Sequence, residues 1–179
     1  MTSTSACFVT LTYNPEHYPP SGSLNPSHLR NFIKRLRKRI NYNIKYYAVG
    51  EYGTESGRAH YHLIIFNMPF ENESIKDLEA AWSLQGDPIG HVHVGDVTPA
   101  SAGYVANYTT KKVSGAMADD HYKGREPEFH RNSNGLGKEA AELIGELMAA
   151  DTARNFLYEG CIRMNGRKYQ LDDYMITQI

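Results

Sequence analysis

NIKYYAVGEYG, residues 43–53, and RAHYHLIIF, residues 58–66, are two runs dense in Tyr, Val, Ile and Phe. Between them lies Gly53-Thr54-Glu55-Ser56-Gly57, a stretch of turn-forming residues. β-branched and aromatic runs bounded by such a cluster predict two strands joined as an antiparallel hairpin. Side chains at i and i+2 of a strand share a face, so His60 and His62 point the same way. Their spacing along the strand is roughly 6–7 Å. Glu51 lies on the neighbouring strand, where its carboxylate can join them. Two imidazoles and one carboxylate are a ligand set for a divalent cation, with positions left for a phosphate oxygen and water.

Outward from this hairpin the pattern continues. CFVTLTY, residues 7–13, reads as a strand. NPEHYPPSGSLNP follows as a loop, and Ser27 is the expected cap of the helix HLRNFIKRLRKRI. Leu29, Phe32, Ile33, Leu36 and Ile40 recur at helical spacing, with the basic residues on the other side. Downstream, residues 73–82 predict a short amphipathic helix, and HVHVGDVT, residues 91–98, alternates as a fourth strand. SAGYVANYTTKKV, residues 101–113, predicts a helix opened by Thr98, Ser101 or both. The order β-α-β-β-α-β-α is a split βαβ unit: an α+β fold, RRM-like, with an antiparallel sheet, helices on one face and the other face free for a site. Past Ala118 the chain is rich in charge and glycine. A helix over residues 138–155 and a hairpin around Asn165-Gly166 are expected there.

With 179 residues, 41% hydrophobic and 22% charged, the chain reads as one domain, with a core over about 7–118 and an extension over about 119–179. The net charge of −1 does not demand nucleic acid, although KRLRKR at residues 34–39 allows it. Cys7 and Cys161, far apart in sequence, fit reduced thiols in a cytoplasm. No apolar run approaches the ~20 residues of a membrane span, and the N-terminus has no charged signal-peptide region.

Tyr104 and Tyr108 stand at i and i+4, on one helix face with Cβ atoms roughly 5–6 Å apart. Lys111 and Lys112 continue that face. Two phenols and an ammonium can thus meet one phosphate, and packed rings at a core edge are the plainer reading of the same spacing. HVH, with His91 and His93, repeats the histidine spacing without a carboxylate on a paired hairpin strand, and is expected to be mostly structural, with His93 able to line the site.

HYHLIIF, FVTLTY and YVANYTTKK together resemble the motifs of HUH endonucleases. FVTLTYNPEHYP, the basic helix, GEYG followed by GRAHYH, GDVTPASAGYVANYTTKKV and NGRKY resemble replication initiators of small single-stranded-DNA phages, the gokushovirus branch of the microviruses. Tyr61 occupies the hydrophobic slot of the histidine motif, and Asn107 stands where a basic residue is expected. The resemblance implies a rolling-circle replication initiator acting in the cytoplasm of a bacterial host. It would nick and rejoin single-stranded DNA at an origin through a 5′-phosphotyrosine. It implies Tyr104 and Tyr108 as nucleophiles, Lys111 and then Lys112 as the charge-stabilising group, and Glu51, His60 and His62 as ligands of Mn²⁺ or Mg²⁺. The implied partners are the origin single strand and a host polymerase and helicase, with no membrane. Rival readings are an HUH transposase or relaxase, a zinc hydrolase, and a non-catalytic RRM-like module. The last would stack bases on Tyr61 and Phe8.

Overall fold

The structure is a computed structural model that describes residues 5–111, 113, 115–149, 161–164, 167–171 and 173–179. The chain divides into two compact units, residues 3–133 and residues 134–179.

The first unit is built on a sheet with strand order β6-β1-β3-β2-β7, every neighbour antiparallel. Its strands are β1 (Ala6–Thr12), β2 (Lys45–Tyr52), β3 (Ala59–Phe66), β6 (Val92–Asp96) and β7 (Phe129–Asn132). Helices α1 (Pro26–Arg39) and α2 (Asn72–Ala81) follow β1 and β3. A two-residue pairing of β4 (Ser83–Leu84) with β5 (Asp87–Pro88) leads to β6. Helix α3 (Pro99–Lys111) comes next, and α4 (Ala118–Tyr122) precedes β7.

Alternation along the strands decides what each face does. Cys7, Val9 and Leu11 of β1 and Ala59, Tyr61, Leu63 and Ile65 of β3 are buried on one face. They pack with Leu29, Phe32, Ile33 and Leu36 of α1 and with Leu78, Ala81 and Trp82. Burying that many large apolar side chains, at roughly 1.5–3 kcal/mol each, is what holds the layers together. Trp82 also donates its indole N–H to the Thr12 carbonyl at 2.8 Å, so its polar edge is satisfied inside the core.

The other face carries Phe8, Thr10, Tyr47, Val49, Glu51, His60, His62 and Ile64. The sequence pattern predicts a bare face here, but α3 covers part of it. Val105 is fully buried and clusters with Val49 and Ile64. One small apolar patch on an otherwise polar helix is enough to seat it there.

Local chemistry fixes the ends of these elements. Helix α1 begins at Pro26 and is capped by Asn25, whose side chain accepts from the Ser27 N–H at 3.0 Å. The cap is thus Asn25 and not Ser27, since proline is preset for the first helical position and needs no acceptor there. At α3 both expected caps are used: Thr98 N–H donates to Ser101 Oγ at 2.8 Å, and Ser101 N–H donates to Thr98 Oγ1 at 3.1 Å. In the hairpin turn Gly57 has φ of +62°, a left-handed conformation that other residues reach only with strain.

The second unit contains α5 (Lys138–Ala149), the antiparallel pair β8 (Cys161–Met164) and β9 (Arg167–Gln170), and α6 (Asp173–Gln178). The expected hairpin tip, Asn165-Gly166, and helix residues 150–155 lie outside the described residues. Neither Cys7 nor Cys161 is in a disulfide, and burial pushes the Cys7 thiol up to about 12. No helix among the described residues is long and apolar enough to cross a membrane.

Candidate metal centre

The β2–β3 register pairs Glu51 with His60 directly, and His62 is the next side chain on the same face. Backbone pairing alone therefore delivers all three groups to one point. The Glu51 side chain is 1% exposed, and its Oε1 lies 2.6 Å from His60 Nε2 and 2.9 Å from His62 Nε2. One ligand atom from each residue falls within 4.8 Å of the others.

The hydrogen bonds behind the rings say what the front nitrogens offer. His60 Nδ1 is 2.9 Å from the Arg58 carbonyl, which can only accept, so Nδ1 carries the proton. A neutral His60 then presents a bare Nε2 lone pair to a carboxylate oxygen, which is repulsive without a cation or proton between them. His62 is oriented the same way by Thr10, whose Oγ1 lies 2.9 Å from Nδ1. Ring orientation by a second group is the usual support for an imidazole ligand. Burial alone would lower the pKa of His60. The hydrogen bond to Glu51, the Arg58 carbonyl and the charges of Glu51 and Glu128 overcome this and hold it above the ordinary histidine value. The site is thus electronegative and shaped to gather positive charge. The residues fit a divalent cation.

Tyr104 reaches this point from α3. Its hydroxyl donates to Glu51 Oε1 at 3.2 Å, and its ring stands edge-on to His62 with centroids 5.3 Å apart. The residue is still 42% exposed, so the phenol sits at the mouth of the site, open to a large substrate. The backbone of Tyr108 and Lys111 continues α3, while their side chains, and Lys112, lie outside what the structure describes.

The second histidine pair is elsewhere. The His91 backbone pairs with Thr12 at 3.0 and 3.1 Å, and its side chain is exposed on the edge strand. His93 faces Thr10 in register, so Thr10 separates it from His62. Tyr61 is fully buried on the opposite face, where its hydroxyl bonds Tyr13 at 2.7 Å. It cannot stack a base, which removes half of the RRM-like reading. Phe8 is on the site side but stacks on His62 with centroids 5.5 Å apart.

Thr10, Phe8, the Arg58 carbonyl and Glu128 do not stand out in the sequence as site groups. The period-2 pattern of FVTLTY does put Phe8 and Thr10 on one face. Only the β1–β3 register, which pairs Thr10 with His62, reveals their role.

Residues 6–113 match the family model of the replication-associated protein ORF2. The chain is 38% identical over 153 residues to the replication-associated protein ORF2 of Spiroplasma virus 4, covering 73% of this chain and 45% of the relative. It is 30% identical over 186 residues to the replication-associated protein ORF4 of Chlamydia phage 1, covering 92% and 43%. To the replication-associated protein VP4 of Bdellovibrio phage phiMH2K it is 33% identical over 138 residues, covering 64% and 41%. The chain therefore spans less than half the length of these curated relatives. No solved structure matches it. With the family matched across the whole stretch that holds Glu51, His60, His62 and Tyr104, this chain belongs to the family of the replication-associated protein ORF2.

Proposed function

We propose that this protein initiates phage DNA replication by nicking single-stranded DNA at an origin, with Tyr104 as nucleophile. The observation that carries the reading is the 3.2 Å hydrogen bond from the Tyr104 hydroxyl to the carboxylate shared by His60 and His62. A tyrosine tethered to a metal-ligand carboxylate is what attack on a bound phosphate requires. Neither a hydrolase using water nor a passive binding module needs it.

Glu51, His60 and His62 would hold Mg²⁺ or Mn²⁺, which would neutralise a non-bridging phosphate oxygen and polarise phosphorus. The remaining work belongs to the chain. A phenol of pKa near 10 is a poor nucleophile at neutral pH. The Glu51 acceptor orients the Tyr104 O–H and draws on its proton, and the cationic end of α3, with Lys111 before Lys112, favours the developing oxyanion. Attack by the phenolic oxygen forms a 5′-phosphotyrosine and releases a 3′-hydroxyl that a host polymerase can extend. The phosphotyrosine keeps the phosphodiester bond energy, so rejoining needs no ATP. Tyr108, one turn further on the same helix, is suited to cut the regenerated junction while Tyr104 still holds DNA.

Incubation with circular single-stranded origin DNA and Mn²⁺ tests this. The expected product is DNA linked to protein through its 5′ end, abolished by a chelator. Binding without a covalent product, under every metal tried, would return the protein to the binding-module class.

A further inference from the structure

Helix α1 carries Arg30, Lys34, Arg35, Arg37, Lys38 and Arg39 and no acidic residue, in a chain whose net charge is −1. Its buried residues are Leu29, Phe32, Ile33 and Leu36. At about 100° per residue, Lys34 and Lys38 fall opposite the centre of that buried stripe. They point straight away from the sheet. Neither makes an ion pair or hydrogen bond among the described residues, and both are exposed. Other cations here have local work. Arg39 pairs with Asp77 at 2.9 Å, Arg35 donates to the Ala81 carbonyl at 2.8 Å, and Arg37 to Arg39 complement the helix C-terminus. None of these reasons covers Lys34, which lies before the last turn. Beside the ridge is an open cleft of about 580 Å³ walled by Arg35, Lys38 and Arg39, with Glu79 on α2 as its acidic member.

We propose that this outward face of α1 binds the phosphate backbone of a DNA duplex flanking the cut site, an inference that rests on the nicking reading for the presence of that DNA. Charge selects a polyanion. The exposed face carries no aromatic ring, since Phe32 is fully buried. Surfaces that hold single strands combine cations with stacking rings. A surface with cations alone suits a duplex, whose bases are stacked away and whose phosphates are what it presents. The placement sets the distance. Helix α1 packs on the face of the sheet opposite Glu51, so with layers about 10 Å apart and a helix about 10–12 Å across, the ridge lies on the order of 20 Å from the carboxylate. At about 3.4 Å per base pair that is about six base pairs from the scissile phosphate. The face therefore steadies DNA at a distance from the chemistry.

Binding of the full chain and of a Lys34→Ala/Lys38→Ala variant is measured against salt on two probes. One is an origin single strand, the other the same strand continued into a duplex of about 20 base pairs. The native chain is expected to bind the second probe more tightly. The variant should lose that advantage, with a log–log salt slope shallower by about 2, as each lost phosphate contact removes about 0.9. Single-strand binding and adduct formation should be unchanged. An unchanged duplex slope overturns the proposal, as does an equal loss on both probes, which would assign the ridge to the single strand. Polyglutamate bound as tightly as duplex and lost in the same variant would assign it to an acidic protein partner, which also overturns it. Absence of any adduct together with a lost duplex advantage would remove the nicking reading and leave this one standing.

Discussion

His60 and His62 show how much one hydrogen bond behind a ring decides. The Arg58 carbonyl fixes the proton of His60 on Nδ1, and Thr10 holds His62 by the same atom. Replacing both histidines by Ala should abolish Mn²⁺ binding in titration calorimetry, while His91→Ala should leave it nearly intact. Metal binding that depended on His91 and His93 would instead move the site to β6. Protons compete for the same Nε2 lone pairs. Because the His60 pKa is raised, metal affinity should begin to fall above about pH 6.5 as the solution is acidified, and keep falling below it. The histidine pair and Glu51 were legible in the sequence because a hairpin is local: strand periodicity and one turn bring them together. Thr10 was not, because it meets His62 across 52 residues of chain through a register no local pattern encodes.

At the scale of elements, α3 brings the nucleophile to the metal ligands. Its capping by Thr98 and Ser101 was readable, as were its tyrosine and lysine positions. Its docking on the sheet through Val105 was not, since one valine in SAGYVANYTTKKV gives no apolar stripe. Strand β7 is hidden for a related reason: FHRN is four mostly polar residues, and its strand character comes from pairing with β2. If α3 presents Lys111 to the reacting phosphate, Lys111→Ala should slow nicking about 10²–10³-fold, the usual loss for one electrostatic donor, and Lys111→Arg should lose less. Single-turnover rates at saturating Mn²⁺ measure this, and unchanged rates would remove Lys111 from the site.

For the molecule as a whole, the two faces of the sheet have separate tasks, and a buried network ties α1 to the core. Tyr61 donates to the Asn25 carbonyl at 3.1 Å, so Tyr13 donates to Tyr61 and accepts from His28 Nδ1 at 2.9 Å. Burial first, and the charge of Arg35 second, hold the His28 pKa below its ordinary value. The folded state thus binds this proton less readily than the unfolded chain does. Its contribution is fully present above about pH 6.5 and is lost as pH falls through the folded value. His28→Asn, which keeps a donor to Tyr13, should flatten the decline of Tm on acidification between about pH 7 and 5, and an unchanged profile would place the acid sensitivity elsewhere. The nicking chemistry belongs to the opposite face, where Tyr104 meets Glu51. Mapping the DNA-linked tyrosine by mass spectrometry in the native chain, Tyr104→Phe and Tyr108→Phe decides whether Tyr104 is the nucleophile. Removing a hydroxyl keeps the ring and its packing, so thermal stability should be unchanged. Nucleotide is expected on Tyr104 in the native chain and in Tyr108→Phe, with neither single variant able to close a circle. An adduct found only on Tyr108, with Tyr104→Phe as active as the native chain, would contradict this assignment.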